Sequence, residues 1–294
     1  MKKYFLFILT ILMAACGTKH TTVEESDDNS IIAATHNLRY ANASDSADGN
    51  GWGKRYPYVA KNVKDNNFEI FGTQEGLYYQ LEDLKGQLPG FEYIGVGRTD
   101  GDKAGEFAAL FYKPERFELL DNGNFWLSEN TEKPNKGWDA ALPRICTWGM
   151  FKDKKSGKEF YFFNLHMDHI GTVARAESAK LVVKKIKELP AGSTAIVTGD
   201  FNVDQNSEPY VTLNNSGVLK DSYTVAKSVN NPKGHTFNGY KLDKVSDSRI
   251  DHLFVTPNVE VGDYKVITNS YIDSDSVERY PSDHFPVTIV IENM

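Results

Sequence analysis

A chain of 294 residues with 17 Phe, 15 Tyr and 4 Trp can bury a sizeable core and is too rich in large apolar groups to be disordered. Its formal net charge of -7 excludes a general affinity for nucleic acid, which needs a basic face.

The first fifteen residues read as a targeting segment. Lys2 and Lys3 give a positive start, and Tyr4 to Met13 is an apolar stretch too short to span a bilayer. Ala14, Ala15 and Cys16 resemble the lipobox of bacterial lipoproteins, with Met13 where leucine is commoner. The expectation is a signal peptide over 1–15, a lipid on Cys16, and a membrane-anchored protein of the bacterial cell envelope, on its periplasmic or surface face. An ordinary secretion signal with an incidental cysteine is the alternative. Loss of Met1 to Ala15 would take the net charge to -9. Residues 16–30 are polar and acidic, as a flexible tether would be. With Cys16 lipidated, Cys146 has no disulfide partner; in the apolar run RICTWGMF it is expected to be a buried small hydrophobe.

From residue 31 onward short β-like runs alternate with helical patterns. Strands are expected at Ile31 to Asn37, Phe68 to Glu75, Phe91 to Val96, Glu106 to Tyr112, Phe117 to Leu127 and Glu159 to His169. Further strands are expected in TAIVTGD, RIDHLFVT and FPVTIVI. Helical spacing marks Arg55 to Asn67, Tyr78 to Gln87 and Thr172 to Leu189, the last with Ala176, Ala179, Val183 and Ile186 on one face. Ala41 to Gly53 reads as a Gly-rich loop. No solenoid or propeller repeat and no low-complexity linker divides the body, so 31–294 is expected to be one α/β domain.

Several strands end in polar residues. Asn37 ends the first and Glu75 the next. Asn164, His166 and Asp168 alternate on one strand face, and Asp200 and Asn202 share a side. Asp251 lies in RIDHLF, and Asp283 and His284 precede the last strand. Taken singly, each has a plain structural explanation: Asp and Asn start turns, and a carboxylate suits a helix N-terminus. Their joint occurrence points to a site at the rigid ends of strands.

Asn37 in THN, Gln74 and Glu75, NLH ending at His166, GDFN at Gly199 to Asn202, RIDHLF around Asp251, and SDH at Ser282 to His284 stand in this order along nearly the whole mature chain. The set resembles the endonuclease/exonuclease/phosphatase superfamily, which shares the fold of deoxyribonuclease I. The resemblance implies a four-layer α/β sandwich, two packed mixed or antiparallel sheets flanked by helices. It implies a hydrolase acting on phosphate esters with a divalent metal, Mg2+ or Mn2+. Glu75, Asn37 through its carbonyl, and Asp283 beyond the direct ligands would serve the metal. Asp200 would orient or deprotonate the attacking water, and Asn202 would steady phosphate or Asp200. His284, held by Asp251, and His166 would contact phosphate, with Asn37 and Asn202 beside them. One departure is Arg39, which stands where many nuclease members carry a carboxylate. It is expected to be a positive group near the phosphate or half of a structural ion pair. Arg98 is another candidate phosphate contact.

Two other readings compete. NLHMDH resembles the histidine cluster of metallo-β-lactamase-fold hydrolases, but Asn164 replaces a required ligand; His169 is then expected behind the site or at the surface. A surface lipoprotein could instead bind glycans through Trp52, Trp126, Trp138 and Trp148, unless these are packing residues. Specificity is expected in the loops Ala41 to Gly53, Gly97 to Gly105 and Asn122 to Leu142. The basic residues near them are few: Lys54, Arg55, Arg98, Lys103, Lys136 and Arg144. They suit a small phosphate ester (a metabolite, glycan or lipid headgroup) turned over by a monomer, and disfavour long nucleic acid, leaving a nuclease as the alternative.

Overall fold

The computed structural model describes residues 29–230, 234–244 and 246–294. The expected signal peptide, Cys16 and nearly all of the tether lie outside the described residues. Among the described residues no helix is long and apolar enough to cross a membrane.

In chain order the first elements are β1 (Ile31–Asn37), α1 (Ala43–Ala47), α2 (Trp52–Asp65), β2 (Ile70–Leu77), α3 (Tyr78–Gln87), β3 (Glu92–Ile94) and β4 (Glu106–Tyr112). Next come β5 (Phe117–Trp126), β6 (Ile145–Asp153), β7 (Glu159–His166), α4 (Thr172–Lys187), β8 (Ala195–Asp200) and α5 (Glu208–Asn214). The rest are β9 (Lys220–Asp221), α6 (Ser222–Val225), β10 (Ser228–Asn230), β11 (Asp251–Val255), β12 (Glu260–Val266), β13 (Tyr271–Ile272), β14 (Glu278–Arg279) and β15 (Val287–Asn293).

The strands form two large sheets and a small hairpin, β13-β14. The first sheet runs β10-β12-β15-β1-β2-β4-β3, and the second β5-β6-β7-β8-β11-β9. Both are mixed: β1 and β2, β10 and β12, and β7 and β8 are parallel pairs among antiparallel ones. Apolar side chains fill the space between the sheets, with Ile31, Ile70, Leu110 and Ile289 facing Phe151, Phe160, Phe162 and Ile196. Helices α2 and α3 cover the first sheet's other face, where Val59, Val63, Leu81 and Leu84 meet Phe68, Phe71 and Phe111. Helices α4 and α5 cover the second sheet through Ala179, Val182, Val183, Tyr210 and Leu213. This is the expected four-layer sandwich. It explains why β8 is buried at every position rather than at alternate ones, since both of its faces are covered.

Three local expectations change. The loop over 41–53 contains α1, because the Asn42 side chain accepts a hydrogen bond from Asp45 N at 2.8 Å and caps a turn there. The buried face of α4 is Ala174, Ser178, Ala179, Val182, Val183 and Ile186, and Ala176 lies off it. The spacing through Ala176 followed the face's flank, since polar Ser178 hides part of the true stripe. Strand β3 is shorter than Phe91 to Val96, because Gly95 turns the chain at φ 135.

The interlayer is apolar at one end and polar at the other. Toward the polar end, Asn164 Nδ2 donates to the carbonyls of Thr73 (2.8 Å) and Ala109 (3.0 Å) across the seam. Its Oδ1 accepts from Gln74 Nε2 at 2.6 Å and Thr198 Oγ1 at 3.2 Å. Asn164 thus stitches one sheet to the other. Gly72 permits the close approach: a Cβ there would lie 2.3 Å from Asn164 Oδ1.

Candidate active site

The register of the second sheet sets half of the site. His166 pairs with Asp200 across parallel β7 and β8, and Asp200 with Asp251 across antiparallel β8 and β11. Three titratable residues therefore stand abreast at one strand spacing. The first sheet supplies Asn37 at the end of β1 and Glu75 from β2. A register shift between β2 and β4 falls between Thr73 and Gly76, and Glu75 has φ 63 within it. This bulge re-aims the Glu75 side chain. Arg39 (φ 58) and Asn202 (φ 51) are also left-handed. Three non-glycine residues held in a costly conformation at one place is a pattern of functional sites.

The side chains converge on Asp200. Its Oδ2 accepts from Asn37 Nδ2 at 3.0 Å and lies 3.6 Å from His166 Nε2 and 3.8 Å from His284 Nε2. Its Oδ1 accepts from Asn202 N at 2.9 Å. Asn37 Nδ2 also donates to Glu75 Oε1 at 3.1 Å, and Tyr40 N to Glu75 Oε2 at 3.1 Å. His284 Nδ1 is 2.9 Å from Asp251 Oδ2. Ser282 Oγ donates to Asn37 O at 2.7 Å, tying the His284 segment to β1.

Burial pushes Asp200 up to about 7, with the nearby His284 opposing the shift. Burial alone would lower His284, but Asp251, Asp200 and Asp283 outweigh it and hold the imidazole well above its ordinary value. For His166, burial and then Arg144 and Arg98 act together to hold the ring well below it. Glu106 is also raised to about 7, by burial first, against the pull of Arg98.

Asn37, Glu75, His166, Asp200, Asn202, Asp251, Asp283 and His284, all expected from the sequence, lie in or beside this cluster, but some face differently. Asn37 turns its amide nitrogen to the carboxylates, while its Oδ1 accepts from Arg39 N at 2.9 Å. Asn202 holds Asp200 through its backbone N–H; its side chain donates to Met167 O at 3.0 Å. Asp283 lies 3.6 Å from Arg39 Nη1. Arg39 is ion-paired to Asp45 at 2.8 Å, the structural pair that was one of its two expected roles, and it also lines the cleft. Asp168 sits behind the site, accepting from Arg144 Nε at 3.1 Å and from the backbone of Ile170 and Gly171. Arg55, expected near the substrate, is fully buried and donates to the carbonyls of Leu38, Arg39, Asn50 and Pro281. Cys146 is a buried free thiol.

The cluster opens into a cleft of about 330 Å³. Its wall includes Arg98, Glu106, Arg144, His169 and Phe237. Arg144 reaches His166 with Nη1 (3.1 Å) and His169 with Nη2 (2.7 Å). A guanidinium therefore fills the space between the histidines where a dinuclear zinc reading needs metal. Glu106, Tyr40 and Phe237 were not singled out from the sequence. Glu106 opens an ordinary-looking strand, and Phe237 reaches the site through an isolated bridge to His284. Trp52 and Trp126 are core residues whose indole N–H groups donate to Asp83 Oδ2 and Arg98 O.

The endonuclease/exonuclease/phosphatase family matches residues 34–284. The chain belongs to this family. It is similar to a mannosyl-6-phosphatase of Bacteroides thetaiotaomicron VPI-5482, with 51% identity and a TM-score of 0.86 over 89% of this chain and 99% of that one. An endonuclease/exonuclease/phosphatase from Bacteroides vulgatus is 40% identical, with a TM-score of 0.82 over 90% of this chain and 99% of the other. An uncharacterized protein of Acanthamoeba polyphaga mimivirus is 27% identical over 255 residues, 82% of this chain and 92% of that protein. As an endonuclease/exonuclease/phosphatase family member, the protein is a hydrolase of phosphate-ester bonds. Family members of this kind use divalent metals. Donor atoms of Glu75, His166 and Asp200 all lie within 4.8 Å of one another, and two carboxylates with one imidazole fit such an ion.

Proposed function

We propose that this protein hydrolyses the phosphate ester of a small, sugar-like molecule rather than cutting long nucleic acid. The observation that carries the reading is the convergence of Asp200, Asn37 and the Asp251–His284 pair on Glu75 and His166, two residues that line a cleft of about 330 Å³. A cleft of that size takes one small ligand. The resemblance to a mannosyl-6-phosphatase over nearly the whole of both chains supports a saccharide carrier.

A divalent cation held by Glu75 with Asp200 and His166 would supply charge neutralisation to the phosphate oxygens and the leaving group. Asp200, between Asn37 and His284, is placed to orient the attacking water and accept its proton. His284 stays protonated and donates to a terminal phosphate oxygen, while Asp251 fixes its orientation. Asn37 Nδ2 spends its two hydrogens on Glu75 and Asp200 and so holds the two carboxylates in place. Arg144 keeps His166 neutral and adds positive charge behind it. The segment before Cys16 supports a lipid-anchored enzyme of the cell envelope, with intact-mass analysis of the membrane fraction as its test.

Purified protein should release phosphate from mannose 6-phosphate, lose turnover in excess chelator and regain it with Mg2+ or Mn2+. Supercoiled plasmid should stay largely intact under the same conditions. Rapid plasmid cleavage that needs Asp200 and collapses by roughly a thousandfold between about 50 and 200 mM salt would establish a nuclease instead.

A further inference from the structure

Three arginines line the cleft, and one of them keeps an unused donor. Arg144 spends its side-chain nitrogens on Asp168, His166 and His169. The Arg39 guanidinium is held by Asp45 and Asp283. Arg98 differs. Its Nη2 donates to Glu106 Oε1 at 2.7 Å, but its Nη1 is buried and has no hydrogen-bond partner among the described residues. A buried guanidinium N–H left unmade is costly, so a partner from outside the chain is the natural complement.

Arg98 is also held in place. Its backbone N donates to Glu106 O at 3.0 Å and its carbonyl accepts from Trp126 Nε1 at 2.8 Å. The adjoining loop closes on itself through Gly97 N to Asp102 O (2.8 Å) and Thr99 N to Ala104 O (3.0 Å). A Cβ at Gly97 would lie 2.3 Å from Ala104 O, so that loop cannot take a bulkier residue there without shifting. Arg98 is only 6% exposed and lines the cleft, so whatever reaches it is small and arrives through the cleft.

Phosphate esters differ in a way this group can read. A monoester presents three terminal oxygens and about two negative charges near neutrality, whereas a diester presents two oxygens and one charge. In the reading above, His284 and a cation held at Glu75 would each serve one terminal oxygen. We propose, resting on the phosphoesterase reading above, that Arg98 is a specificity-determining residue that selects phosphomonoesters over diesters by binding the third terminal oxygen. Arg144, fully occupied by the protein, supports that flank without making the distinction.

The test compares Arg98→Gln and Arg98→Lys with wild type on p-nitrophenyl phosphate and bis(p-nitrophenyl) phosphate, with Mg2+ or Mn2+ present. Wild type should favour the monoester. Arg98→Gln should lower kcat/KM for the monoester by roughly thirtyfold to a hundredfold, from loss of a charge-assisted bond. The diester rate should fall at least about tenfold less, and Arg98→Lys should recover part of the preference. Equal loss on both esters, or no loss on either, in a variant with an unchanged melting temperature would overturn the assignment. Should the Gln variant not fold, an Arg98→Lys variant with an unaltered monoester-to-diester ratio would overturn it equally. Wild type that turns over only the diester sinks this inference and leaves the phosphoesterase reading intact. Wild type inert on both esters and on mannose 6-phosphate sinks both.

Discussion

His166 and His284 approach the same Asp200 oxygen, at 3.6 and 3.8 Å, one from the end of β7 and the other from the segment that leads into β15. Both are nearly sealed from solvent, and burial by itself lowers both. Their neighbours then divide them. Around His284 stand Asp251, Asp200 and Asp283, and the ring keeps its proton. Around His166 stand Arg144 and Arg98, and the ring loses it. One anionic flank and one cationic flank thus meet over a single carboxylate. The contrast teaches that burial sets the stakes at such a site, while the sign of the adjoining charges sets the outcome.

The largest effect should come from breaking the anionic flank. Asp251→Asn should lower kcat by about a hundredfold or more, and His284→Ala by a similar factor. The double variant should lose little more than either, because groups acting as a unit are non-additive. Multiplicative losses in that cycle would show that the two side chains work independently.

On the cationic flank, Asp168 holds Arg144 in place. Burial raises the Asp168 pKa, but the N–H groups of Gly171, Ile170 and Ala141 and the Arg144 guanidinium hold the carboxyl well below its usual range. Its folded pKa is depressed, so its stabilisation is complete above the unfolded value near 4 and fades as pH falls through the folded value. His284 works in the opposite sense: its stabilisation is complete below about 6.5 and fades as pH rises through its raised folded value. Asp168→Asn should cost about 2 kcal/mol at pH 7, read from the urea midpoint, with the gap from wild type narrowing below about pH 4. A gap that stays constant into acid would detach Asp168 from the charge balance of the flank.

A smaller effect should follow Arg144→Gln, which removes the nearest cation from His166. The His166 pKa should move up in an NMR titration, and kcat/KM should fall by about tenfold. An unmoved His166 would assign its depression to burial and Arg98 and sharpen the role of the latter.

Much of this was legible in advance, for particular reasons. Apolar runs ending in GDFN and QE, and one preceded by SDH, placed Asp200, Glu75 and His284 at strand ends, because strand periodicity and its abrupt limits are local signals. The pairing of His284 with Asp251 came from resemblance, and in the fold the segment before β15 brings His284 Nδ1 to 2.9 Å from Asp251 Oδ2, a contact between residues 33 apart that no local spacing signals. The cationic flank was less visible. Arg144, Arg98 and Glu106 come from three separate segments, and no spacing links them. Arg55 looked like a substrate clamp because its charge is plain in sequence, while its four backbone carbonyl partners exist only in the fold. The left-handed Glu75 and Asn202 gave no signal either, since neither residue type announces a positive φ as glycine does.

The centre of the first sheet has a consequence for how the enzyme comes into being. Strand β15, which His284 leads into, lies between β12 and β1, and β1 is the earliest strand along the chain among the described residues. Glu75 and His284 are thus separated by some two hundred residues of chain, which takes roughly ten to forty seconds to synthesise. Until β15 arrives, β1 has an open edge on one side and the cleft lacks its charged histidine. No nascent chain stopped short of that strand has a complete site. Catalytic competence is therefore coupled to the last large act of sheet closure, and truncated products are born inert.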